Sequence, residues 1–213
     1  MKSNINLFYP LTQSVLKKED LLAAIKVINS KNITMGKKTI QIENYFKKKI
    51  TGINSLMVNS GSSANLLIFQ CLINPLVKRL KPGDEVLIPA VCWSTSLWPI
   101  IQSGLKVKFV DIDLKTHNIN ADLIEAAISP KTKAIMLAHT LGNPYNLEKV
   151  KELCDKYNLW LVEDCCDALG AKYSDQHVGT FGDIATCSFY PAHHITMGEG
   201  GAVFHNNLEI ITF

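Results

Sequence analysis

The feature of this 213-residue chain that most narrows its possible folds is the alternation of short β-rich runs with helix-length segments. Runs at 55–58 (Ser-Leu-Met-Val), 85–88 (Glu-Val-Leu-Ile), 107–110, 134–137 and 159–162 are rich in branched and apolar residues. Between them, 64–72, 121–128 and 147–157 are long enough for helices, and 21–28 and 40–50 carry apolar residues at helical spacing. Gly201-Ala202-Val203-Phe204 reads as a last strand. Strand, helix and strand at this spacing form βαβ units, whose parallel strands are covered by helices on both faces. The expected fold is one α/β domain, a three-layer α/β/α sandwich around a mostly parallel central sheet.

Composition removes several function classes. Hydrophobic residues make up 47% and charged residues 19%, enough to build a core and too apolar for a disordered chain. The net charge is only +3, its lysines are scattered as in Lys17-Lys18, Lys37-Lys38 and Lys47-Lys48-Lys49, and Arg79 is the one arginine. Such lysines read as solvated helix faces, so no nucleic-acid partner is expected. No stretch approaches the ~20 apolar residues of a membrane span, and the first ten residues lack a signal-peptide pattern. A cytoplasmic protein with no membrane partner is expected, its six cysteines mostly reduced and without a Cys-x-x-Cys pair. The chain stops inside the apolar run 208–213, which reads as a truncation.

Three motifs carry chemistry. Asn59-Ser60-Gly61-Ser62-Ser63-Ala64-Asn65 joins a β-run to a helix. Its free backbone N–H groups and helix dipole suit a phosphate, although the same string serves as a plain capped turn. Glu163-Asp164-Cys165-Cys166-Asp167 follows an apolar strand, at the carboxyl end where α/β sheets bind ligands. A carboxylate there can hold a protonated pyridine nitrogen or can cap a helix. Ser188-Phe189-Tyr190-Pro191-Ala192-His193-His194 precedes Gly198-Glu199-Gly200-Gly201. Adjacent residues on an extended chain point to opposite faces, so only one of the two histidines enters any one site. A surface loop is the other reading.

In this order and spacing, the three motifs resemble the sugar-nucleotide aminotransferase (DegT) family, which has the aspartate-aminotransferase fold. Ile88-Pro89-Ala90 with Trp93, Phe109-Val110-Asp111-Ile112-Asp113 and 128–135 extend the resemblance along nearly the whole chain. It implies that residues 1–213 are an N-terminal segment and large cofactor-binding domain, with the C-terminal small domain absent. It implies pyridoxal or pyridoxamine 5'-phosphate as cofactor. Gly61, Ser62 and Ser63 would hold its phosphate with help from Ser188, Trp93 would stack on its ring, and Asp164 would meet the pyridine nitrogen. Asp167 would lie near the ring hydroxyl, with Tyr190 bordering the pocket.

The sixth residue of the Ser188 motif is the cofactor-binding lysine in transaminating members; here it is His193. An imidazole exchanges protons near neutral pH but cannot hold the cofactor covalently. The substitution resembles the branch that removes the 3-hydroxyl of a 4-keto-6-deoxy sugar nucleotide, with His193 as base. One type in that branch acts on a CDP-linked sugar with an added 2Fe-2S cluster and is reduced by a separate NADH-dependent flavin iron-sulfur reductase. Cys166 matches its first cluster ligand. The other type acts on a GDP-linked sugar without a cluster and recovers its amine from glutamate. The residues around 164–167 and 190–201 favour the first. The resemblance also implies a homodimer, and an inactive fragment is the reading from another class.

Overall fold

The computed structural model describes residues 15–205, apart from Gly52 and Lys78. The first ten residues and the 208–213 run lie outside these. Helices α1 (Lys18–Asn29) and α2 (Lys37–Tyr45) come first, α2 continuing into a wider turn over Phe46–Thr51. Then follow β1 (Asn54–Val58), α3 (Gly61–Leu72), β2 (Glu85–Pro89), α4 (Ser94–Gln102), β3 (Lys106–Val110), α5 (Ala121–Ala127) and β4 (Thr132–Ala138). The last elements are α6 (Leu147–Tyr157), β5 (Trp160–Asp164), a small hairpin of β6 (Lys172–Tyr173) and β7 (Gln176–His177), β8 (Ile184–Ser188) and β9 (Gly201–His205).

Among the described residues, seven strands form one sheet in the order β1-β9-β8-β5-β4-β2-β3. Only β9 opposes its neighbours; the other recorded pairings in this sheet are parallel. The sheet is buried on both sides because strand residues alternate between two apolar cores. On β4, Ala134 and Met136 join the core beneath α3 and α4, while Ile135 and Leu137 join the core beneath α5 and α6. This is the expected three-layer sandwich. Helix α6 shows how the sequence makes one layer. Asn146 accepts the Lys149 N–H at 3.1 Å to cap it, Leu147, Val150, Leu153 and Cys154 face the sheet, and left-handed Asn158 ends it.

Four elements escaped the sequence reading: the two-residue strands β6 and β7, strand β8 and helix α4. Strand β8, Ile-Ala-Thr-Cys-Ser, is buried throughout and has no apolar–polar alternation to reveal it. Helix α4 opens on Ser94-Thr95-Ser96 and contains Pro99, both of which read as loop. No helix among the described residues is long and apolar enough to cross a membrane.

Candidate active site

The three sequence motifs meet at one edge of the sheet. Ser60 caps α3 by accepting the Ser63 N–H at 3.1 Å, so the helix opens at Gly61 with its first N–H groups unspent inside the helix. Only glycine fits at 61, because a Cβ there would lie 2.6 Å from the Ser188 Cβ and 3.2 Å from the Cys166 Sγ. Gly201 lets the backbone of β9 pass directly against Ser60 and Gly61, where a Cβ would collide with main chain. The Gly61 turn, Ser188 at the end of β8 and Cys166 after β5 are therefore neighbours. The buried Ser188 Oγ accepts the Tyr190 N–H at 3.3 Å, which leaves its own O–H free to donate.

Asp164 ends β5 and is only 6% exposed. Its Oδ2 accepts from Asn65 Nδ2 at 3.3 Å and Ser96 Oγ at 3.0 Å, and its Oδ1 accepts the Cys166 N–H at 3.1 Å. The Cys166 thiol is pushed well above the ordinary thiol range, first by burial and then by the Asp164 charge and a hydrogen bond to it. Cys92 is also raised, by burial and then by the same charge.

His193 pairs with Asp167, three residues beyond Asp164. Its Nδ1 lies 3.1 Å from Asp167 Oδ1, and its ring stands edge-on to Tyr190 at 6.2 Å between centroids. His194 is exposed, so one histidine of the pair faces the site and the other does not. Trp93, at the N-cap of α4, is 75% exposed, which excludes a core-packing role. Ser62 is exposed and Ser63 half-buried on the same turn. In the sequence Asn65 stands only as the last residue of the Gly61 motif and nothing marks Ser96, since the two lie 99 and 68 residues from Asp164.

A second titratable cluster lies across the sheet. Ligand atoms of His139, Glu163 and Cys165 fall within 4.8 Å of one another. Glu163 Oε2 accepts the Gly179 N–H at 2.9 Å and lies 3.0 Å from His139 Nε2; Oε1 accepts the N–H groups of Phe181 and Gly182 at 2.8 and 2.6 Å. Burial, then the Glu163 charge, pushes the Cys165 thiol well up. With its oxygens taken by three backbone N–H groups and His139, the Glu163 carboxylate acts as a structural knot that ties the 179–182 loop to β5.

The model of the DegT/DnrJ/EryC1/StrS aminotransferase family matches residues 14–212. The chain belongs to that family. Lipopolysaccharide biosynthesis protein RfbH of Salmonella typhimurium is 60% identical over 157 residues, covering 73% of this chain and 36% of its own. The dTDP-4-dehydro-2,6-dideoxy-D-glucose 3-dehydratase of Saccharopolyspora spinosa is 45% identical over 92% of this chain and 43% of its own. A structure of the E. coli GDP-4-keto-6-deoxy-D-mannose-3-dehydratase with bound hydrated PLP aligns with a TM-score of 0.89. It shares 40% identity over 95% of this chain and 52% of its own. The chain thus spans about half, or less, of the length of these DegT-family relatives.

Proposed function

We propose that this chain is the large, cofactor-binding domain of a pyridoxamine-phosphate enzyme that removes the 3-hydroxyl of a nucleotide-linked 4-keto-6-deoxy sugar. A CDP-linked sugar on a route to lipopolysaccharide is the favoured substrate. The observation that carries the reading is the His193–Asp167 pair, 3.1 Å apart, beside the turn that also holds Asp164. It puts a proton carrier at the motif position where transaminating relatives have a cofactor-binding amine.

The residues fit the cofactor. Gly61 and Ser62 offer free helix-start N–H groups to a phosphate, Ser63, whose N–H goes to Ser60, offers its hydroxyl, and the Ser188 hydroxyl adds a donor. Asp164 Oδ1 would accept from a pyridine N–H, and exposed Trp93 would cover a ring face. When bound, pyridoxamine phosphate supplies an amine that joins the sugar ketone and a ring that accepts electrons. The Asp167 carboxylate lies 3.1 Å from His193 Nδ1, which leaves Nε2 as the ring nitrogen that would face the cofactor. Nε2 would be the proton carrier of the site, able to hold a proton and return it to the departing 3-hydroxyl so that this leaves as water, with Tyr190 standing edge-on to the imidazole.

A 2Fe-2S cluster needs four ligands, and the described cysteines do not supply them. Cys165 and Cys187 point into the core, and Cys166 stays a candidate for a single ligand. A GDP-linked, cluster-free enzyme is the second reading, supported by the 40% identity to the E. coli dehydratase. The CDP-linked reading brings an NADH-dependent flavin iron-sulfur reductase and a second copy of the chain as partners. Iron in the whole protein that falls in Cys166→Ser supports it; an iron-free protein supports the GDP-linked one.

Borohydride trapping tests the placement of His193. Wild type should change the absorbance of added pyridoxal phosphate and yield no reduced adduct. His193→Lys should give an adduct at position 193 by mass spectrometry, and no adduct there would refute the placement.

A further inference from the structure

We propose that Asn65 and Ser96 are positioning residues that hold the Asp164 carboxylate for a cofactor ring nitrogen; this rests on the cofactor reading above. The two come from different helices and converge on one atom, Asp164 Oδ2, at 3.3 and 3.0 Å. Both are buried. The other Asn65 amide hydrogen goes to the Thr95 carbonyl at 3.1 Å, so Nδ2 spans α4 and β5. That fixes the orientation of the amide, since the reverse would set its oxygen against two acceptors. Its oxygen is left without a hydrogen-bond partner among the described residues.

The spacing gives this network its purpose. Asn65 stands one helical turn beyond Gly61, and Ser96 stands three residues beyond Trp93. Each helix therefore presents its first residues to the cofactor, phosphate turn on α3 and ring platform on α4, and reaches from its next turn to the same carboxylate. With Oδ2 filled from the helices, Oδ1 is the oxygen available to the ring. A carboxylate free to rotate would offer either oxygen at a changed angle, and a charge-assisted hydrogen bond depends steeply on that angle.

The test compares two probes, pyridoxal phosphate and its analogue with carbon in place of the ring nitrogen. Wild type should bind pyridoxal phosphate more tightly than the analogue. Asn65→Leu and Ser96→Ala should each lose about tenfold in affinity for pyridoxal phosphate and almost nothing for the analogue. Ser96→Thr, which keeps a hydroxyl, should retain the wild-type preference, and this pair decides the matter if Asn65→Leu does not fold. Equal losses for both probes, or no loss for either, would overturn the positioning role alone. Wild type that binds neither probe would overturn the cofactor reading with it.

Discussion

Glu163 and Asp164 are adjacent carboxylates on β5, both buried, and they face opposite sides of the sheet. Glu163 is consumed by the protein: three backbone N–H groups and His139 fill its oxygens, and His139 stacks on Tyr145 at 4.4 Å. Asp164 is held as firmly on one oxygen, while the other carries a single recorded backbone partner and borders the Gly61 turn. Burial alone does not separate a structural acid from a functional one; the completeness of its hydrogen bonding does. Glu163 knots the 179–182 loop to the strand that carries Asp164, so the first acid fixes the scaffold on which the second works.

Breaking the Glu163 side should cost most. Glu163→Ala strands three buried donors and His139, and should lower unfolding stability by roughly 3–5 kcal/mol in urea titrations. The protein that remains folded should still bind pyridoxal phosphate. Gly61→Ala comes next: a methyl group 2.6 Å from the Ser188 Cβ must push β8 or α3 aside, lowering stability by about 1–3 kcal/mol and weakening phosphate binding together. Gly61 lies on the Asp164 side, at the start of the helix that carries Asn65, and calorimetry with phosphate titration should show both losses.

A pH scan probes two buried thiols, Cys154 on α6 and Cys187 on β8. Cys154 and Cys187 are pushed from 9.0 to about 12, mainly by burial, so the folded state keeps protons that the unfolded state releases. Their contribution is complete below pH 9 and is lost as pH rises from about 9 to about 12. The urea midpoint should be flat with respect to these thiols up to pH 8 and should fall above pH 9. Serine at both positions should remove that part of the fall. The smallest effect on stability belongs to the Asp164 side. Trp93→Ala should leave stability within ~0.5 kcal/mol, since the ring is exposed, but should weaken pyridoxal phosphate binding by about 0.5–1.5 kcal/mol through lost stacking.

Much of this arrangement was legible in the sequence where the signal is local. The β-run before Glu163-Asp164 marked a carboxyl strand end, and Ser60-Gly61-Ser62-Ser63 marked a helix opening. His193 stood out by its place in the Ser188 motif. What was not legible depends on contacts between distant residues. Nothing near Asn65 announces Asp164, and Asp167 shows its pairing with His193 only once the turn after β5 meets the loop after β8. Glu163 and Asp164 read alike as letters; the strand pleat sends them to opposite environments. Helix α1 shows the reverse limit. Its apolar residues were plain, yet Leu21, Leu22, Ile25 and Ile28 stay exposed and join neither core.

The most direct measurement is pyridoxal phosphate affinity beside the urea midpoint in Asp164→Asn. The substitution removes the charge and sets an amide NH2 against a donor that the carboxylate accepts, so binding should weaken roughly 30–100-fold beside a stability loss of about 1–3 kcal/mol. An Asp164→Asn protein that binds pyridoxal phosphate as tightly as wild type would contradict the assignment of this face of β5 to the cofactor.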